Sequence, residues 1–322
     1  MSKTSARLKR FQPWIAVAAV GLASFLIYRA LKGYSLEEIR ASLGQISVRH
    51  LALGAAFAAG SYLCLTGFDT LAVRYTRGQV PYRKIALASF VALSIGHTLG
   101  FAAFSSGAVR YRFYSSWGLS AGDIARIILF CGLTVLLGLS TLGALSAILQ
   151  PRLVAQIFGI APALVIALGV ALLGVIAAYL LLAAFGRGSL RIRQFRIPLP
   201  PFRLAVGQIV IGTLNFGLVA AVLHQMLSAS SDIGFLPVAA VYVTANVAAI
   251  VSHVPGGIGV IEAVILSLVP GADVVAALIA FRTIYFLIPF AIGSTLLGII
   301  ELRRRRQRAS PDSGAGRESA TP

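Results

Sequence analysis

Long apolar stretches alternate along this chain with short polar breaks that are mostly basic. A helix of about 20 mainly apolar residues crosses a bilayer core. Stretches of that kind run over Trp14–Leu31, Leu51–Val73, Ile85–Phe104, Ile124–Leu149, Pro162–Phe185, Leu204–Leu227, Leu236–Val254 and Val274–Ile300. Two of them are broken. The third is interrupted by Gly96, His97 and Gly100 and runs into Ser105-Ser106-Gly107. The seventh ends at Pro255-Gly256-Gly257 and is followed by Ile258–Val269, too short to span. The pattern predicts an all-α, polytopic membrane helix bundle.

The basic breaks constrain how these stretches are threaded. Lys3, Arg7, Lys9 and Arg10 precede the first; Arg74, Arg77, Arg83 and Lys84 follow the second; Arg187, Arg191, Arg193, Arg196 and Arg203 follow the fifth; Arg303-Arg304-Arg305-Arg306 and Arg308 follow the last. Cytoplasmic loops carry the excess of Lys and Arg, so all four regions are expected on one side. That is met when the third and seventh stretches enter and return, giving about six full crossings, two re-entrant broken elements and both termini in the cytoplasm. Each broken element is third in a group of four, and the groups have opposite orientation, the plan of an inverted repeat. We therefore expect a basic leader over 1–13, a single transmembrane domain over 14–302, and a basic, then disordered, tail over 303–322. The first stretch reads as a retained anchor, since no small-residue cleavage site follows it.

Composition strengthens this picture. Hydrophobic residues make up 58% of the 322 and charged residues 12%, with a mean hydropathy of +0.87. Too few polar groups exist to solvate a ball of this size, which excludes a soluble enzyme, a disulfide scaffold and a nucleic-acid-binding domain. The 28 basic residues against 10 acidic ones, a net charge of +18, read as a topology signal and as an attraction to anionic headgroups. Cys64 and Cys131 lie inside apolar stretches and read as small apolar residues.

Charged side chains at hydrocarbon depth are costly and mark candidate sites. Asp69 lies in the second stretch, where structural pairing and function are both open readings. Arg110 and Arg112 follow the first break; they are either loop cations or a fork for phosphate. Glu262 follows the Pro-Gly-Gly run amid apolar residues, with Arg282 as its possible partner: either a packing pair or a headgroup site. Gly96, His97, Gly107, His253, Pro255, Gly256, Gly257 and Gly259 mark the breaks and are candidate hinge or re-entrant positions. His97 and His253 are expected to hydrogen-bond backbone exposed there. No metal is expected, because neither they nor His224 have a second ligand at helical spacing; no cofactor is expected either.

Two runs carry a family resemblance. Gly107-Ala108-Val109-Arg110-Tyr111-Arg112-Phe113-Tyr114 with Gly118-Leu119-Ser120, and Pro255-Gly256-Gly257-Ile258-Gly259-Val260-Ile261-Glu262, resemble the transmembrane, flippase-like region of bacterial lysylphosphatidylglycerol synthases. The full-length proteins of that family add a soluble aminoacyl-transferase domain, make aminoacylated phosphatidylglycerol and move it to the outer leaflet. The resemblance implies that Asp69, Arg110 and Glu262, and more weakly Arg112, fall in a substrate-binding translocation cavity. A soluble catalytic domain takes about 150 residues or more, and only a short tail follows the last stretch here. We therefore expect a transporter and not an enzyme.

The resulting expectation is a lipid translocase of the bacterial inner membrane, acting on a phospholipid such as the aminoacylated kind. Its alternative is a non-catalytic membrane subunit beside a separate lipid-modifying enzyme. A homodimer is open, and nucleic acid is not an expected partner. The translocase reading requires Arg110 and Glu262 to face a hydrated hollow reachable from a leaflet.

Overall fold

The computed structural model describes residues 36–309 apart from 100–101, 187–188, 193–194, 253–256, 258 and 270–273. The leader, the first apolar stretch, the tail from 310 onward, and His253, Pro255 and Gly256 lie outside the described residues. The chain is a helical bundle: α1 (Leu36–Gln45), α2 (Val48–Tyr75), α3 (Tyr82–Leu99), α4 (Ala102–Ser116), α5 (Ala121–Leu149), α6 (Pro151–Phe158), α7 (Pro162–Phe185), α8 (Phe202–Leu227), α9 (Phe235–Ser252), α10 (Val260–Leu268), α11 (Val274–Arg282) and α12 (Ile288–Ala309). Local signals set several boundaries. Ser120 caps α5 by accepting the Asp123 amide at 3.1 Å, and Asp123 itself favours the positive end of the helix. Prolines open α6 and α7, where a missing N–H costs nothing.

Six helices among the described residues are long and apolar enough to cross a membrane: Val48–Tyr75, Ala121–Leu149, Pro162–Phe185, Phe202–Leu227, Phe235–Ser252 and the continuous Val274–Arg303. The set differs from the expected crossings. It includes α9, which the sequence pattern read as part of a re-entrant element, and the first stretch lies outside the described residues. The third stretch is broken as expected, into α3 and α4, which pack on each other. The basic stretch between α7 and α8, expected as a loop, contains a two-stranded antiparallel hairpin, β1 (Ser189–Ile192) and β2 (Phe195–Pro198).

At the centre, α2 packs most extensively on α8. Around this pair α3 packs on α12 as α9 packs on α5, and α2 meets α5 as α8 meets α11. Likewise α3 folds onto α4 as α9 folds onto α10. Exchanging α2 with α8, α3–α4 with α9–α10, and α5 with α11–α12 maps these contacts onto one another, the pairing that an internal repeat produces. Helices α5 and α8 cross closely at Gly138 and Gly212: a Cβ on Gly138 would lie 2.3 Å from the Gly212 carbonyl carbon. Small residues at such crossings let backbones approach in a medium with no hydrophobic drive between helices. Beside them Gln208 donates to the Phe130 carbonyl (3.2 Å) and the Thr134 hydroxyl (3.1 Å) and accepts from Tyr179 (2.5 Å).

The last span is not a uniform helix. Between α11 and α12, Thr283–Leu287 forms a π-helical segment, and the Ile288 amide donates to the Thr283 carbonyl. Insertions of this kind widen a helix and re-aim its side chains, and they gather at functional sites.

Candidate functional site

Each half of the bundle holds one ion pair at its broken element. In the first half, Ser106, Arg110 and Tyr114 recur at intervals of four and so share one face of α4. That face meets Asp69 of α2. The Arg110 guanidinium grips both carboxylate oxygens, Nε to Oδ1 at 2.8 Å and Nη2 to Oδ2 at 2.7 Å. Tyr114 donates to Oδ1 at 2.9 Å, and Arg110 Nη1 donates to the Ser106 hydroxyl at 3.0 Å. The bidentate geometry is the strong form of this interaction. Asp69 is 0% and Arg110 3% exposed.

Arg110 thus faces its partner and not a hollow, which corrects the expectation that it opens onto one. An open recess of about 490 Å³ lies nearby, at the turn between α2 and α3, and is lined by Thr70, Arg74, Gln79 and Tyr82 among others. Neither Asp69 nor Arg110 lines it. Arg112, two residues further along α4, lies off that face and pairs with Glu301 of α12 in a half-exposed setting. Gly107 is buried against α5, where a Cβ would meet Ile128 at 3.3 Å.

The second half is built differently. Gly259 precedes α10 with φ +84°, and Gly257 has φ +59°, backbone that side chains with a Cβ rarely adopt. This left-handed entry sets Glu262 in the first turn of α10. Its carboxylate accepts the Gly259 amide at 2.8 Å and pairs with Arg282 at the end of α11. Arg282 also donates to the Gly257 carbonyl at 3.3 Å and lies 5.3 Å over the Phe286 ring, within cation–π range. The partner suggested by sequence is therefore the partner observed. Unlike the first pair, this one is not sealed: Arg282 is 12% and Glu262 13% exposed.

A buried polar cluster lies at the bundle centre, three residues beyond Arg282 on the same span. Tyr285, in the π-helical segment, shares a hydrogen bond of 3.0 Å with the Ser61 hydroxyl of α2, which donates to Asn215 of α8 at 2.7 Å. Tyr62 donates to the Tyr285 carbonyl at 3.3 Å. His97, near the end of α3, stacks on Tyr285 with ring centroids 6.2 Å apart. Its Nδ1 is buried and has no hydrogen-bond partner among the described residues, so the expected bond to exposed backbone is not made by that atom. Gly96 beside it is buried.

Sequence reasoning did not single out Ser61, Ser106, Tyr114, Asn215 or Tyr285. Two signals were available. Ser106, Arg110 and Tyr114 form a polar stripe at helical spacing, and Ser61 and Asn215 stand alone in apolar stretches where each must find a partner. The π-helical segment has no such mark. Among the described residues no cluster of three His, Cys, Asp or Glu side chains is placed to hold a metal ion.

Comparison with known proteins adds to this geometry. The family described as lysylphosphatidylglycerol synthase TM region matches residues 14–293. A protein of Synechocystis sp., slr0712, is 34% identical over 312 residues, covering 93% of this chain and 97% of its own length. The Escherichia coli inner membrane protein YbhN is 27% identical over 293 residues, covering 89% of this chain and 87% of its own.

Proposed function

This chain belongs to the lysylphosphatidylglycerol synthase TM region family, and from that premise we propose that it is a lipid translocase of the bacterial inner membrane, handling a phospholipid that carries both a phosphate and an ammonium group. The observation that carries the reading is the Glu262–Arg282 pair, with Arg282 in a helix long and apolar enough to cross a membrane, beside the backbone of Gly257 and Gly259 and open to a small degree.

The physical problem is to bring a charged headgroup into a medium that does not solvate it. An ion pair in the protein solves this by exchange. The phosphate takes the Arg282 guanidinium while the ammonium takes the Glu262 carboxylate, so no charge is left alone in low dielectric at any step. The Gly259 amide, released by the carboxylate, can then meet a headgroup oxygen. Acyl chains stay in lipid throughout. Arg110 is satisfied by Asp69 in this conformation, which moves the phosphate-binding role from Arg110, where the sequence pointed, to Arg282. Asp69 and Arg110 serve as the brace of the other half. The aminoacylated phosphatidylglycerol of the family fits this chemistry.

The test is a reconstituted leaflet-exchange assay with phosphatidylglycerol and its lysyl form. Glu262→Gln, which keeps size and removes charge, is expected to lower exchange of the lysyl lipid at least about tenfold, the loss of one charge-assisted contact. Unchanged exchange in a folded variant would overturn the reading. No exchange by the folded wild-type chain would favour the alternative, a membrane subunit acting beside a lipid-modifying enzyme, which predicts stable co-purification with that enzyme.

A further inference from the structure

The recess at the turn between α2 and α3 takes no part in either ion pair, yet it is a built feature. It owes its shape to the way α2 ends. The Gly78 amide donates to the Val73 carbonyl at 2.9 Å and the Arg77 amide to the Arg74 carbonyl at 3.1 Å, the paired bonds of a Schellman cap. The left-handed residue that such a cap needs is Arg77, with φ +56°, where a glycine usually stands. The cap turns the chain so that residues 79–82 come to line one recess of about 490 Å³ with Thr70 and Arg74, and with the buried Val73 and Ile85. Helix α2 is long and apolar enough to cross a membrane and ends at Tyr75. The recess therefore lies where such a span meets the headgroup layer.

Its polar lining combines one cation with acceptor oxygens. Arg74 is exposed and forms no ion pair among the described residues. Thr66 gives its one hydroxyl hydrogen to the Leu63 carbonyl at 2.8 Å, so in the 3.0 Å bond between Thr66 and Tyr82 the phenol donates. Thr70 gives its hydrogen to the Thr66 carbonyl at 2.8 Å. Both hydrogens are thus committed, and Tyr82 Oη and Thr70 Oγ1 keep lone pairs for a donor from outside. Among the described residues no carboxylate lines the recess, and Arg77 and Arg83 are exposed in the same turn. A guanidinium beside neutral acceptors suits a phosphate whose substituent carries hydroxyl groups. An ammonium group would meet acceptors without a counter-charge, in a field of cations. We propose that the recess binds one anionic phospholipid with a hydroxyl-bearing headgroup, its phosphate on Arg74 and its hydroxyls donating to Tyr82 Oη and Thr70 Oγ1. Position at the end of a span selects a lipid over a soluble phosphodiester, because the acyl chains then stay in the bilayer. The site does not depend on translocation: the Glu262–Arg282 pair suits a headgroup with both charges, this recess a net negative one.

The experiment uses the full chain in phosphatidylcholine nanodiscs, with trace lipids that carry a diazirine on one acyl chain close to the glycerol backbone. Four headgroups are compared: phosphatidylglycerol, phosphatidylmethanol (anionic, without hydroxyls), phosphatidylcholine and lysylphosphatidylglycerol. Phosphatidylglycerol is expected to label residues 70–85 in excess over the other three. Arg74→Gln should lower labelling by both anionic lipids about fivefold. Tyr82→Phe removes an acceptor and no charge, and should lower phosphatidylglycerol about fivefold, towards the level of phosphatidylmethanol. Glu262→Gln should leave all of these ratios unchanged, which separates this site from the translocation pair. Equal labelling by phosphatidylglycerol and any of the other three lipids, or an excess that survives Arg74→Gln in a folded protein, would overturn the proposal. Displacement of the label by millimolar glycerophosphoglycerol would overturn it too, by assigning the recess to a soluble phosphodiester.

Discussion

Each half of the bundle holds an ion pair at its broken element, Asp69–Arg110 between α2 and α4 and Glu262–Arg282 between α10 and α11, and their surroundings differ. Asp69–Arg110 is bidentate, joined by Tyr114 and Ser106, and closed to solvent. Glu262–Arg282 stands at a glycine-lined break, uses backbone groups of Gly257 and Gly259 as further partners, and is partly open. A sealed pair surrounded by further hydrogen bonds is costly to break and has nothing to gain from a ligand. An exposed edge beside irregular backbone offers a ligand both a route and replacement partners. The same chemistry therefore reads as a brace in one half and as a headgroup site in the other.

The sharpest way to break this contrast is to remove one partner from each pair. Asp69→Ala leaves Arg110 charged and buried, and should cost about 3–5 kcal/mol, seen as a large drop in thermal stability in detergent or as failure to accumulate. Glu262→Gln keeps one of the two acceptor contacts of that side chain, and the site is partly open, so its cost should be nearer about 1–2 kcal/mol, while leaflet exchange falls far more. If the two variants lose stability equally, the division into brace and site is wrong.

The crossing of α5 and α8 lies outside both pairs and calibrates them. Gly138→Ala places a methyl against Gly212 backbone and should cost about 1–3 kcal/mol by overpacking, measured by the same thermal assay. Any loss of exchange there should follow the folded fraction. Ser61→Ala sharpens the link between the halves. It removes the hydroxyl shared by Asn215 and Tyr285 and should cost about 1–2 kcal/mol, with exchange reduced by less than in Glu262→Gln. The smallest effect is expected from Arg112→Ala. Its pair with Glu301 is half-exposed, worth about 0–1 kcal/mol, and exchange should be unchanged.

Much of this architecture was readable before any coordinates. Apolar stretches locate α2, α5, α7 and α8 to within a few residues, because nothing but a helix satisfies its own backbone in a bilayer. The break between α3 and α4 was legible in Gly96, His97 and Gly100, and the Glu262–Arg282 pairing in two isolated charges. The re-entrant reading of the seventh stretch came from charge bias in the flanking loops, whereas length and hydropathy alone qualify α9 as a span. The β1–β2 hairpin was hidden by its arginines, which read as loop whatever backbone carries them.

What the chain of letters settles here is local. Burial in lipid and hydrogen bonding within one helix depend on neighbours in sequence, so the helical class, the breaks and the list of costly charges follow from composition and spacing. Which charge meets which is a matter of how helices pack. Arg110 could have faced a headgroup or Asp69, and only the approach of α4 to α2 chose between them. The setting of Glu262 likewise rests on folding: two left-handed glycines place it at the start of α10, and the end of α11 brings Arg282 to it. Spacing along the chain says nothing of such meetings, because they depend on distances between helices.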